Sequence, residues 1–339
     1  MSDLAPPRIV AASSGVASGN LALYELQKPF VEPMLRLCRL ANTVLDALFY
    51  DVGALTTTLL AQDTIIKTGD SRNAVSSRHP LQTLDLSAAT NPSGSIIIVD
   101  AQLAPFVRPF RDMNQFIDYA NGVDGATLHT LTITGVGSSA YGAVAFAWDV
   151  STAIGEPVAA VVPGYGLADV VPQALGGWFG FGVYDALQSA TQDFLASFAP
   201  TLAMMGKELA LSTPRRVQAE TGAPVFRHGS AASDDVHAIL DAVPTITRLV
   251  GHSKGALAIA NALRSLVAPH AEGISIFTLG CVIQEEFPRY RYRQTLGWFD
   301  ALGILNSWNR APEQRVFTHH STNSSIPLSM QVASCVAQR

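Results

Sequence analysis

Charge is scarce in this 339-residue chain: Asp, Glu, Lys and Arg make up 14% of it, against 48% hydrophobic residues. Ordinary globular chains carry about 25% charged residues. So little charge beside so much apolar character excludes intrinsic disorder, which needs the reverse balance. Basic residues are scarcer still. Lys and Arg number 22 against 27 Asp and Glu, the net charge is −5 and no basic run occurs. Nucleic acid is therefore not an expected partner. Cysteine is nearly absent. Cys38, Cys281 and Cys335 lie far apart, and no CxxC pair occurs. That spacing suggests neither a zinc site nor a disulfide framework, and no metal or cofactor is expected. Long apolar runs are missing too. The longest stretch without a charge, Gly125 to Trp148, is interrupted by Gly135, Gly137, Ser138, Ser139 and Gly142. It reads as two strands and a turn, because a membrane helix wants about 20 mostly apolar residues. The opening residues, Met1 to Pro7, have no basic segment leading into an apolar core. No signal peptide is read there, and a reducing, cytoplasmic compartment is expected.

What is present is enough apolar sequence to bury a large core without disulfides or metal. The pattern divides the chain at residue 95. Residues 1–95 read as a helical extension and linker. Met34, Leu37, Cys38, Ala41, Val44, Leu45 and Leu48 recur at helical steps. Such a face packs on the main domain, or docks on a partner subunit, a lipid or a polymer surface. Residues 67–95 carry Gly69, Pro80, Pro92 and Gly94 and read as loop. Residues 96–339 read as one α/β domain. Strands are expected at Ser95–Asp100, Leu128–Thr134, Ala143–Val150, Val158–Val162, Ile246–Val250, Ile274–Leu279 and Arg315–Thr318. Helices are expected at Arg108–Tyr119, 183–211, Asp234–Ala242 with Ser233 as N-cap, Lys254–Val267 and Thr295–Leu305. Alternation of strand and helix is the signature of a mostly parallel sheet with helices on both faces.

The segment with chemical content is Leu249-Val250-Gly251-His252-Ser253-Lys254-Gly255-Ala256-Leu257. It places GxSxG between a β-branched strand and an alanine-rich helix, the setting of a nucleophile elbow. A turn this tight forces Ser253 into a strained backbone conformation. Side chains at 251 and 255 would collide with the adjoining strand and helix. The Ser253 hydroxyl then points out of the sheet edge. The N–H of Lys254 lies at a helix N-terminus, aimed where an oxyanion would form. The Lys254 ammonium opposes the helix dipole there. It either meets an anionic substrate group or lies solvated.

The stretch Leu249–Ala262 resembles the nucleophile region of α/β-hydrolase lipases and esterases, most closely the fungal-type, class 3 lipases. The resemblance implies an α/β-hydrolase fold and ester hydrolysis through an acyl-enzyme. It also implies the chain order nucleophile, acid, base. Asp300 is the only aspartate after Ser253. Glu285 and Glu286 remain alternatives for the acid. His319 and His320 follow the last expected strand, so the implied triad is Ser253, Asp300 and His320, with His319 the rival base. The chain departs from that family in three places. It has Ala256 where a second glycine is usual, it lacks an Arg-Gly-Thr oxyanion motif, and Asp300 falls in a stretch read as helical.

Pro163-Gly164-Tyr165-Gly166 follows the strand at 158–162, and the N–H of Tyr165 or Gly166 is the expected second oxyanion donor. Trp178, Phe179 and Phe181, spaced by glycines, would line an acyl pocket or form an apolar lid. The expected substrate is a small or polymeric ester, a lipid or a storage polyester, with peripheral contact to a lipid or granule surface. An acyltransferase would use the same residues. So would a peptidase, and a surface-binding protein on the same scaffold would need none of them.

Overall fold

The computed structural model describes residues 46–67, 86, 94–103, 106–110, 113–135, 138–163, 231–264, 266, 273–283, 290–307 and 310–337. After a helical turn at 46–49 come α1 (Val52–Lys67), β1 (Ile96–Val99), β2 (Val107–Phe110), α2 (Met113–Ala120) and β3 (Thr130–Ile133). Next are α3 (Ala140–Ile154), β4 (Val158–Val161), α4 (Ala231–Ala242), β5 (Arg248–His252), α5 (Lys254–Arg264) and β6 (Ser275–Leu279). The chain continues through β7 (Arg291–Gly297), α6 (Ala301–Asn306), β8 (Gln314–Val316) and α7 (Val332–Val336).

The strands form one eight-stranded sheet in the order β2-β1-β4-β3-β5-β6-β7-β8. From β4 through β8 every pairing is parallel. Only β1 runs against its neighbours, pairing antiparallel with both β2 and β4. The expected α/β class, a mostly parallel sheet with helices on both faces, is what the structure shows. Strand pleating sends alternate residues to opposite faces. Ile96, Ile98, Leu131, Ile133, Leu249 and Ile276 go to one side, where α2, α4 and α5 cover them. Ile97, Val99, Val158, Val250, Phe277 and Leu279 go to the other, under α3, α7 and the start of α1. Burial on both faces explains why the strands read as unbroken apolar runs.

Four sequence expectations are corrected. Ala143–Val150 is helix, inside α3. Its alanines favour helix, Ser139 caps it by accepting the Tyr141 N–H, and Gly155 ends it with a φ of 71°. The expected helix at 108–119 is strand up to Phe110 and helix only from Met113. Ser233 is not an N-cap, because α4 already starts at Ala231. The stretch 295–305 splits into the end of β7 and the short α6, so Asp300 lies in the turn between them. The expected helix at 183–211 lies outside the described residues.

Candidate active site

Ligands of open parallel sheets bind beyond the carboxyl ends of the strands, where the strand order reverses. Here the chain leaves β3 for β4 on one side and returns to β5 on the other, so that point lies between β3 and β5. Ser253 follows β5 at this end. Its φ of 54° is one of two positive values among the described non-glycine residues, a strain that persists only where surroundings enforce it. The enforcing contacts are local. The Ser253 N–H donates to the Leu279 carbonyl at 2.8 Å, and the Ser253 carbonyl accepts from the Ala256 N–H at 3.0 Å. A Cβ on Gly251 would sit 2.8 Å from the backbone of Ala256. One on Gly255 would run into the carbonyl oxygens of Ile133 and Thr134. Both glycines are therefore required by close approach, as the sequence argument held.

Asp300 and His320 are brought together. His320 Nδ1 lies 2.7 Å from Asp300 Oδ1. The same carboxylate oxygen accepts the Gly303 N–H at 2.6 Å, which fixes the side chain at the mouth of α6. Asp300 is fully buried, and its Oδ2 has no hydrogen-bond partner among the described residues. Room for the pair comes from Gly280, whose φ is 67°. A Cβ there would press to 2.9 Å from His320 Nδ1 and 3.1 Å from Asp300 Oδ2. Phe49 meets the His320 ring edge-on, with centroids 5.8 Å apart. Because Gly280 follows the Leu279 carbonyl that anchors Ser253, the serine and the imidazole share one end of the sheet.

His319 is placed elsewhere. Its Nδ1 accepts the Ser321 N–H at 3.1 Å, so its proton is on Nε2, which donates to the Pro327 carbonyl at 2.8 Å. Both nitrogens are spent inside their own loop. Lys254 opens α5, and burial pushes its ammonium below the ordinary lysine value. Tyr165, Gly166, Trp178, Phe179, Phe181, Glu285 and Glu286 lie outside the described residues.

Among the described residues, the loop after β3 comes close to Ser253. A Cβ on Gly135 would come within 3.4 Å of Ser253 Cβ and 3.7 Å of its Oγ. The Gly135 N–H is already committed to Tyr50 Oη at 3.0 Å. Asp46 holds the next part of this loop, accepting Ser138 Oγ–H on Oδ1 at 2.7 Å and the Ser139 N–H on Oδ2 at 2.8 Å. Burial raises the Asp46 carboxyl to about 6, against the pull of those donors. His252, the variable residue of the elbow, is also part of the site. Its Nδ1 lies 2.9 Å from Tyr50 Oη, and its Nε2 lies 2.9 Å from the His320 carbonyl oxygen. Burial, with His320 alongside, lowers its pKa to about 3. Sequence reasoning missed Asp46, Tyr50, Gly135 and His252. A histidine inside a buried elbow was the one available signal. Nothing in the spacing links it to a tyrosine 202 residues away.

No family model, no curated protein and no solved structure matches this chain. Among the described residues, no group of side chains could hold a metal ion, and no helix is long and apolar enough to cross a membrane.

Proposed function

We propose that the chain is a serine hydrolase of the α/β-hydrolase type that cleaves carboxylic esters through an acyl-enzyme. One observation carries the reading. A serine strained to a φ of 54° in a strand–turn–helix elbow shares its sheet end with a buried Asp300–His320 pair 2.7 Å apart. The pairing orients His320 with its proton on Nδ1, so Nε2 is the nitrogen free to act as base. Ser253 Oγ attacks the ester carbonyl carbon while its proton passes to His320 Nε2. The tetrahedral intermediate collapses, the C–O bond breaks, and the same proton leaves with the alcohol. Water then repeats the sequence on the acyl-enzyme and releases the acid. Asp300 stabilises the imidazolium that forms at each stage.

The Lys254 N–H at the start of α5 is the first proposed oxyanion donor. The loop after β3, which comes close to Ser253, is the place for the second. An apolar acyl group is favoured by exposed side chains on the turns that carry the acid and the base and in the first turn of α6. Trp298, Phe299, Leu302 and Phe317 are all exposed, and the rings of Phe299 and Phe317 meet at 4.6 Å. The test is hydrolysis of p-nitrophenyl acetate, butyrate and octanoate, with fluorophosphonate labelling of Ser253. An unlabelled, inactive wild type would sink the reading and leave a surface-binding scaffold. Turnover that rises when a second alcohol is supplied would point to acyl transfer.

A further inference from the structure

We infer that Tyr50 and His252 are positioning residues that hold the base loop in its working place, through a directed chain of hydrogen bonds ending on the His320 backbone. The inference rests on the hydrolase reading and extends it.

The direction of the chain follows from proton accounting. A backbone N–H can only donate and a backbone carbonyl can only accept. The His320 carbonyl therefore requires the proton of His252 to be on Nε2. The opposite nitrogen, Nδ1, must then accept, and the Tyr50 hydroxyl supplies its proton. The Tyr50 oxygen in turn accepts the Gly135 N–H. Every donor in the series from Gly135 to Tyr50 to His252 to the His320 carbonyl has one acceptor, with no proton left over. Tyr50 and His252 are both buried. The rings stack the series into one unit. Tyr50 stands edge-on to His252 at 5.3 Å, and the His252 and His320 rings lie 4.9 Å apart. His252 is also one residue from the nucleophile. Its side chain thus sets the spacing between the elbow and the loop that delivers the base.

The rest of the segment 46–51 pulls the same way. The carbonyls of Ala47, Leu48 and Phe49 accept hydrogen bonds from the side chains of Asn323, Ser321 and Thr322. Asp51 accepts the Ser324 N–H. One short stretch therefore grips the base loop on its far side, while Tyr50 reaches through to the elbow and to Gly135. Tyr50 and His252 act on the reaction through the position of His320.

The experiment compares wild type with Y50F, H252A and H252Q. Glutamine can place an amide N–H where His252 Nε2–H stood, so H252Q tests the bond to the His320 carbonyl apart from the imidazole. Active sites are counted by fluorophosphonate titration, and kcat and KM are measured per active site with p-nitrophenyl butyrate. The His320 Nδ1 proton is followed as a far-downfield NMR resonance, identified by its loss in D300N. Y50F and H252A are expected to lower kcat about 10–100-fold, the cost of a slightly misplaced catalytic group. KM should stay within about twofold, the His320 resonance should shift or broaden, and H252Q should recover most of the activity lost in H252A. Unchanged kcat per active site together with an unmoved resonance in Y50F would overturn the inference. Should H252A fail to fold, Y50F and H252Q carry the comparison. Should the wild type neither turn over nor label, the hydrolase reading fails, and the resonance in Y50F still decides whether this pair positions His320.

Discussion

Two neighbouring histidines with the same chemistry differ in how their nitrogens are committed. His319 spends both on its own loop, whereas His320 gives Nδ1 to Asp300. Mutating each separately should therefore give unequal results in ester hydrolysis. H319A should keep kcat within a few-fold, with some loss of thermal stability. H320A and S253A should fall to the background rate. D300N should cost about four orders of magnitude, because an amide leaves the imidazole in the wrong tautomer. An H319A variant as dead as H320A would reassign the base. The pair was undecidable in sequence because it follows one strand and differs by a single position. What separates the two is the loop's path: it turns His320 toward Gly280 and Asp300, and His319 toward Pro327. The serine, by contrast, was legible. The need for glycine on both sides is a local consequence of a tight turn, and local requirements leave a local motif.

At the scale of the elements, the elbow is held by β3 as much as by its own strand. The absent Gly255 Cβ would meet the carbonyl oxygens of Ile133 and Thr134. G255A should cost about 1–3 kcal/mol through overpacking, and G251A should behave similarly against Ala256. Thermal melts measure both, and an unchanged melting temperature in G255A would contradict the packing described. Helix α3 carries a different liability. Burial, and then the charge of Asp51, raises the Asp149 carboxyl to about 8. The folded chain therefore holds this proton more tightly than the unfolded chain, whose carboxyl titrates near 3.8. Stability falls as pH rises between those two values and levels off above the higher one. D149N should raise the melting temperature by an amount that is absent near pH 4 and grows to about pH 8. A gain independent of pH would show the carboxyl is not the cause. Asp46, raised to about 6, leaves a shallower slope of the same sign in that variant. Helix α3 is misread from sequence because most of its circumference is buried, so neither the helical nor the strand period shows. For α3, alanine content and the Ser139 cap were the better guides.

For the whole molecule, two cores on opposite faces of one sheet shield what little reactive sulfur the described residues contain. Cys281 and Cys335 are free and buried, and burial lifts the Cys281 thiol to about 12. Only thiolate alkylates readily. Under native conditions iodoacetamide should leave both unmodified, and both should react together as the fold is lost in denaturant. Mass spectrometry reads each site separately, and early reaction of Cys335 alone would mean that α7 detaches before the sheet opens.

The grip of residues 46–51 on residues 321–324 also constrains the order of assembly. These contacts join positions 273 residues apart, and loop closure on that scale is costly and slow. During synthesis the early segment emerges long before its partner exists, so the elbow and its sheet can form first and wait. Activity should therefore be the last property the chain acquires. On renaturation it should lag behind secondary structure and follow the docking of the base loop.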